Sequence, residues 1–180
     1  MNRTDWKDWT LFLDRDGVIN KKIEGDYVRH WQHFSFLPGS LSGLKILSSL
    51  FKRLIIVTNQ RGIARGFLTA ETLGEIHNRM GRHLQKRGIR LDGIYVCPHE
   101  ISEECDCRKP RTGLFEKARE DFPDILFRKS IVIGDSASDL EAARKIRARP
   151  VLIRKEPSGN VPAYRNLFDF GQYLLREQGA

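Results

Sequence analysis

A chain of 180 residues has room for one ordinary domain, and a compact domain of that size buries roughly 70% of its unfolded surface, enough for an unassisted core. Hydrophobic residues make up 40% and charged residues 30%, which excludes a disordered chain, and no apolar run approaches the ~20 residues that span a bilayer. The formal charge of +8, from 31 Lys and Arg against 23 Asp and Glu, admits either a nucleic-acid footprint or an enzyme that handles anionic substrates.

Residues 1–9 are charged and lack the apolar stretch of an export signal, so a cytoplasmic location is expected. The first apolar run, Thr10 to Leu13, ends in acids. Next comes a long irregular stretch over 14–38, then a helical pattern from Ser40 to Phe51 with Leu41, Leu44, Leu47 and Phe51 on one face. Leu54 to Val57 is a second, β-branched run. Thr69 has the form of an N-cap, with Glu71 in the first turn and a stripe of Leu73, Ile76, Met80 and Leu84 behind it; Gly88 is a natural stop. Gly93 to Val96, Ser130 to Ile133 and Pro150 to Ile153 complete five short apolar runs. Shorter helices are expected at Leu114 to Phe122 and Leu140 to Ile146, and a closing one at Leu167 to Arg176. Short, wholly apolar strands alternating with helices predict a parallel, doubly wound α/β sheet, whose chemistry lies beyond the carboxyl ends of its strands.

The residues after each run fit that expectation. Asp14 and Asp16 follow the first; they could share a divalent cation, divide nucleophilic and proton-transfer work, or simply form a turn with Gly17. Thr58, Asn59 and Gln60 follow the second and suit phosphoryl oxygens, though they serve equally as caps. Gly134 and Asp135 follow the fourth. Ser138 with Glu141 fits a capping box, which also accounts for Asp139.

After the third run lie all three cysteines of the chain, Cys97, Cys105 and Cys107, with His99 among them. An odd count builds no full disulfide framework. Three thiolates and an imidazole instead fill the coordination sphere of a structural Zn²⁺ and leave no open position for water. Its role would be to pin the loop that carries Arg108 and Lys109.

Asp14-x-Asp16-Gly17, Thr58-Asn59, Lys109 and Gly134-Asp135-x-x-x-Asp139 occur in the order of the haloacid dehalogenase (HAD) superfamily of aspartate-nucleophile phosphatases, which the chain resembles over residues 11–145. The stretches 11–20, 58–66 and 97–110 look like its small capless, zinc-containing phosphatases, a group that includes heptose bisphosphate phosphatases and histidinol-phosphate phosphatases. Gly62 to Gly66, Asp26 to Val28 and Leu91 to Tyr95 lean to the former. The short gap between His99 and Cys105, and Ser136 after Asp135, lean to the latter; the first leaning carries slightly more weight.

The resemblance implies a Rossmann-like doubly wound sheet without a large cap, in a single domain spanning 1–180. It implies Asp14 as nucleophile, Asp16 as proton donor and acceptor, Thr58 and Lys109 as phosphate-stabilising groups, and Mg²⁺ on the carboxylates of Asp14 and Asp135 and the backbone carbonyl of Asp16. Asn20, Tyr27, Asn59, Gln60, Arg61 and Arg108 would contact substrate. The expected reaction is hydrolysis of a small phosphate monoester, a heptose 1,7-bisphosphate at its 7-phosphate, with histidinol phosphate next and a polynucleotide end third. A non-catalytic nucleic-acid module is the alternative outside enzymes; paired acids that repel phosphates argue against it. A monomer with neither membrane nor nucleic-acid partner is expected.

Overall fold

A computed structural model describes residues 5–154 and 160–179; residues 1–4, part of the N-terminal segment read above, lie outside the described residues. The five apolar runs form β1 (Thr10–Leu13), β2 (Arg53–Asn59), β3 (Gly93–Cys97), β4 (Ser130–Gly134) and β5 (Arg149–Ile153). A sixth strand, β6 (Ala163–Tyr164), was not expected. It has only two residues, too few for any periodicity; it exists because the N–H groups of Leu152 and Arg154, in and just after β5, donate to the carbonyls of Pro162 and Tyr164.

The order is β3-β2-β1-β4-β5-β6, with every pair parallel. The chain winds outward from β1 to β3, then returns to place β4 on the other side of β1. That reversal opens a crevice at the carboxyl ends of β1 and β4, where ligands of such folds bind.

Side-chain alternation divides the core. Leu11, Leu13, Leu54, Ile56, Ile131 and Ile133 face α1 (Ser40–Leu50), α2 (Ala70–Gln85) and α5 (Leu167–Gly179) through Leu44, Leu47, Ile76, Met80, Phe170 and Leu174. Phe12, Ile55, Val57 and Val132 face α3 (Gly113–Asp121) and α4 (Ala137–Lys145) through Leu114, Phe115, Ala118, Ala142 and Ala143. Each fully buried Leu, Ile or Phe contributes roughly 1.5–3 kcal/mol relative to exposure, so the short strands are held chiefly by the two helical layers. The cost is that their polar strand ends must be satisfied by the loops.

Local chemistry sets the helix ends. Thr69 caps α2 by accepting from the Thr72 N–H, and Gly88 leaves the helix with φ 64°. The capping box of α4 corrects the sequence expectation. Ser136 is the N-cap and Asp139 the reciprocal acceptor, while Ser138 already lies inside the helix. The shift arises because β4 runs straight into α4 with one intervening turn, so the helix starts two residues early.

Between β1 and α1 the chain forms only a 3₁₀ turn at Trp31–His33 and isolated bridges of Asn20 to Asp16 and Phe36. No large cap is inserted among the described residues. Among them, too, no helix is long and apolar enough to cross a membrane.

Candidate active site

Four strand ends converge on an open cavity of about 420 Å³ lined by Asp14, Asp16, Lys109, Asp135 and Asp139, with Lys22, Tyr27, Arg61, Arg65 and Arg108 towards its rim. Asp14 is locked to the sheet by its own N–H, which donates to the Ile133 carbonyl at 2.8 Å. Lys109 reaches it from the loop after β3. The lysine is 4% exposed; its Nζ lies 2.9 Å from Asp14 Oδ1 and 2.6 Å from Asp139 Oδ1, and it donates to the Val57 carbonyl at 2.6 Å.

The electrostatics are those of acids short of cations. Burial pushes the Asp14 carboxyl up to about 7; Lys109 opposes the rise, and Asp139 and Asp16 reinforce it. Burial likewise raises Asp135, partly offset by a 3.0 Å contact from Lys22 Nζ. Burial would neutralise Lys109, but Asp14 and Asp139 outweigh it and hold the ammonium charged.

Asp16 has the opposite environment. Arg15 Nη2 grips both of its oxygens at 3.0 and 2.8 Å, Asn20 Nδ2 donates at 2.8 Å and Gln60 Nε2 at 2.8 Å. Burial alone would raise this carboxyl; Arg15, Asn20 and Gln60 outweigh it and bring the group below its ordinary range. Thr58 Oγ1 accepts from the same Gln60 amide at 2.9 Å.

These contacts re-place several residues expected to touch substrate. Asn20 and Gln60 are buried at 0% and 1% exposure beneath Asp16 and do not line the cavity. Their amides orient the acid instead. Asn59 lines the cavity, but its amide is occupied by the Lys109 peptide, accepting from its N–H at 3.0 Å and donating to its carbonyl at 3.1 Å. Tyr27, Arg61 and Arg108 do face the cavity. Arg61 donates to the Tyr27 hydroxyl at 3.2 Å and pairs with Glu100, which also holds Arg65 at 2.7 Å.

Sequence reasoning missed four residues. Asp139, matched in the motif but given only a helix-capping role, closes the capping box of Ser136 and is also the second acid on Lys109. Lys22 and His77 gave no local signal. Arg15 did give one: a charged residue at the end of an otherwise apolar strand, between two acids, needs buried partners if the strand is central.

Beside the cavity the Cys/His loop is closed on itself. Cys97 Sγ is 3.5 Å from Cys105 Sγ and 3.8 Å from His99 Nδ1, while Cys107 Sγ is 3.4 Å from Cys105 Sγ and 3.1 Å from His99 Nδ1. A disulfide needs about 2.05 Å. The edges of a tetrahedron around Zn²⁺, with Zn–S near 2.3 Å and Zn–N near 2.1 Å, are roughly 3.5–3.8 Å, so the donors fit this ion. The thiols also carry the signature of an unmet charge. Burial and its neighbours push Cys107 up, whereas hydrogen bonds from Cys107 and Cys97 overcome burial and bring Cys105 down to about 7.

A doubly wound sheet with this order, an acid pair after β1, a hydroxyl after β2, a buried lysine and acids after β4 defines an HAD-like hydrolase fold and site. A family described as HAD-hydrolase-like matches residues 106–160. The chain is 46% identical over 140 residues to D-glycero-alpha-D-manno-heptose-1,7-bisphosphate 7-phosphatase of Mycobacterium tuberculosis, covering 78% of this chain and 74% of that one. It is 41% identical over 182 residues to D-glycero-beta-D-manno-heptose-1,7-bisphosphate 7-phosphatase of Vibrio cholerae, covering 92% and 96%. Among solved structures, the D,D-heptose 1,7-bisphosphate phosphatase of B. bronchiseptica, complexed with magnesium and phosphate, superimposes with a TM-score of 0.84 at 29% identity, covering 94% of this chain and 99% of that one. The chain belongs to the heptose-1,7-bisphosphate 7-phosphatase family of HAD-like hydrolases.

Proposed function

We propose that this phosphatase hydrolyses the 7-phosphate of a D-glycero-D-manno-heptose 1,7-bisphosphate through an aspartyl-phosphate. The observation that carries the reading is the different partners of two acids two positions apart. Asp14 sits against Lys109 at the cavity floor, positioned for attack. Asp16 lines the same cavity, held by three donors, and would exchange a proton with the leaving oxygen and later with water. Lys109 offsets the repulsion between the attacking carboxylate and the phosphate dianion. Thr58, 1% exposed and bonded to Gln60 behind the cavity wall, would have to turn its hydroxyl inward to meet an equatorial oxygen.

The donor set fits Mg²⁺: carboxylate oxygens of Asp14, Asp135 and Asp139 come within 4.8 Å of one another, all hard ligands. Asp139 is committed to Lys109 and to the α4 N-cap, so Asp14, Asp135 and the backbone carbonyl of Asp16 would hold the ion. When bound, Mg²⁺ neutralises charge on the acids and on the phosphoryl oxygens. The cavity rim carries four cations, of which Lys22 pairs with Asp135 and Arg61 and Arg65 share Glu100. Lys22, Arg61, Arg65 and Arg108 surround a volume large enough for a phosphorylated sugar, which supports a bisphosphate substrate. Zn²⁺ on Cys97, His99, Cys105 and Cys107 would keep the loop carrying Arg108 and Lys109 in register with the β2 end.

Parallel initial rates test the reading. Heptose 1,7-bisphosphate should give the highest kcat/KM, above histidinol phosphate and a 3′-phosphorylated oligonucleotide. Preferential hydrolysis of either of the other two would replace it.

A further inference from the structure

His77 lies on the sheet-facing side of α2, far in sequence from every strand-end motif, yet it reaches the floor of the site. Its Nε2 is 3.0 Å from Arg15 Nη1. A guanidinium only donates, so Nε2 must accept and the ring proton must sit on Nδ1. The surroundings agree. Burial, reinforced by the neighbouring Arg15 charge, drives the imidazole down to about 3, so the ring is neutral. Arg15 is 0% exposed, and its Nη2 makes the paired contact to Asp16 and a further one of 3.2 Å to Gln60 Oε1. Among the described residues its Nε has no partner. The plane of this guanidinium is therefore fixed by three residues: Asp16, Gln60 and His77. Among the described residues, only His77 holds the Nη1 end.

We propose that His77 is a positioning residue for the proton-transfer acid. Its neutral Nε2 anchors Arg15, and Arg15 in turn sets where the Asp16 carboxyl points. A buried donor deprived of its acceptor rotates to find another. Loss of the His77 end therefore frees the guanidinium to turn and carry Asp16 out of line. The effect is on the geometry of proton delivery, not on phosphate binding, which Lys109 and the rim cations govern. This inference rests on the reading of Asp16 as proton donor.

The test compares His77→Gln with His77→Asn. Both are polar and smaller than imidazole, but glutamine places an acceptor near the Nε2 position and asparagine near Nδ1. Single-turnover rates are measured on heptose 1,7-bisphosphate, whose alkoxide leaving group needs a proton, and on p-nitrophenyl phosphate, whose phenolate does not. His77→Asn should slow the sugar phosphate about ten- to hundredfold, with KM little changed and the aryl phosphate nearly unaffected. His77→Gln should restore most of the loss. Equal rates in the two variants, or equal losses on the two phosphates, overturn the proposal. A second readout stands apart from turnover: the Arg15 guanidinium N–H signals in NMR should be protected in the wild type and in His77→Gln, and exchange rapidly in His77→Asn. Should the wild type release phosphate from neither compound, the functional reading fails, and the NMR arm alone decides whether His77 holds Arg15; unchanged protection in His77→Asn overturns it.

Discussion

The crevice and the Cys/His loop are both clusters of ionisable side chains, and they are built in opposite ways. The loop draws four ligands from eleven consecutive residues, Cys97 to Cys107, and its shape is set by short-range chain geometry plus the ion it fits. The crevice draws Asp14, Lys109, Asp135 and Asp139 from the ends of β1 and β4 and the loop after β3, and only the strand order brings them together. The loop is therefore a local construction and the crevice one that depends on the sheet. Their link is Lys109, which belongs to the loop by sequence and to the crevice by contact, with Asn59 fastening its peptide to the end of β2.

Substitutions can sharpen that distinction. The largest effect is expected from Asp14→Asn, which removes the proposed nucleophile but keeps the volume; phosphatase activity should fall by about 10⁴-fold or more while zinc content and thermal unfolding stay near wild type. Next is Cys105→Ser. Zinc measured by elemental analysis should drop well below one per chain, and kcat should fall on the order of ten- to hundredfold as Lys109 loses its support, with cooperative unfolding of the sheet retained. Unfolding of the whole chain in that variant would break the claim that the two regions are separable.

Gly17→Ala probes the crevice from below. Gly17 has φ +85°, and a Cβ there would lie 2.3 Å from Asp135 Oδ2, so Asp135 must move. A loss of roughly 1–3 kcal/mol in stability is expected, together with weaker Mg²⁺ binding by calorimetry. The smallest effect concerns acid sensitivity. His77 is held at about 3 in the folded protein against 6.5 for the free side chain, so the folded state binds fewer protons between those values. The stability this group provides is full above pH 6.5 and is lost as pH falls towards 3. His77→Gln should flatten that part of a stability-against-pH curve, and an unaltered slope would show that other groups govern it.

Much of this was legible in the sequence for a physical reason. Strands buried on both faces must be apolar throughout, so β1 to β5 stood out as runs, and polar groups behind such runs had to be loop residues at one sheet edge. That logic placed Asp14, Asp16, Thr58 and Asp135 correctly at strand ends. It could not say which side chains face the cavity. Asn20 and Gln60 are the same kind of residue as Asn59, but the turn after β1 brings Asn20, and the end of β2 brings Gln60, onto Asp16. The capping box illustrates a smaller limit. Two Ser-x-x-acid patterns overlap at residues 136–141, and only the position of the β4 end selects Ser136 with Asp139.

The sequence alone determined the alternation of strands and helices, the four candidate zinc ligands and the acids of the first and fourth strand ends, because each is written in neighbouring residues. The tertiary structure decided the rest. The return of β4 beside β1 converts Asp139 from a helix cap into a partner of Lys109, and the packing of α2 brings His77 onto Arg15. Those contacts span 30 and 62 residues respectively, and nothing local in the chain encodes a pairing whose partners meet only when the sheet has closed over its core.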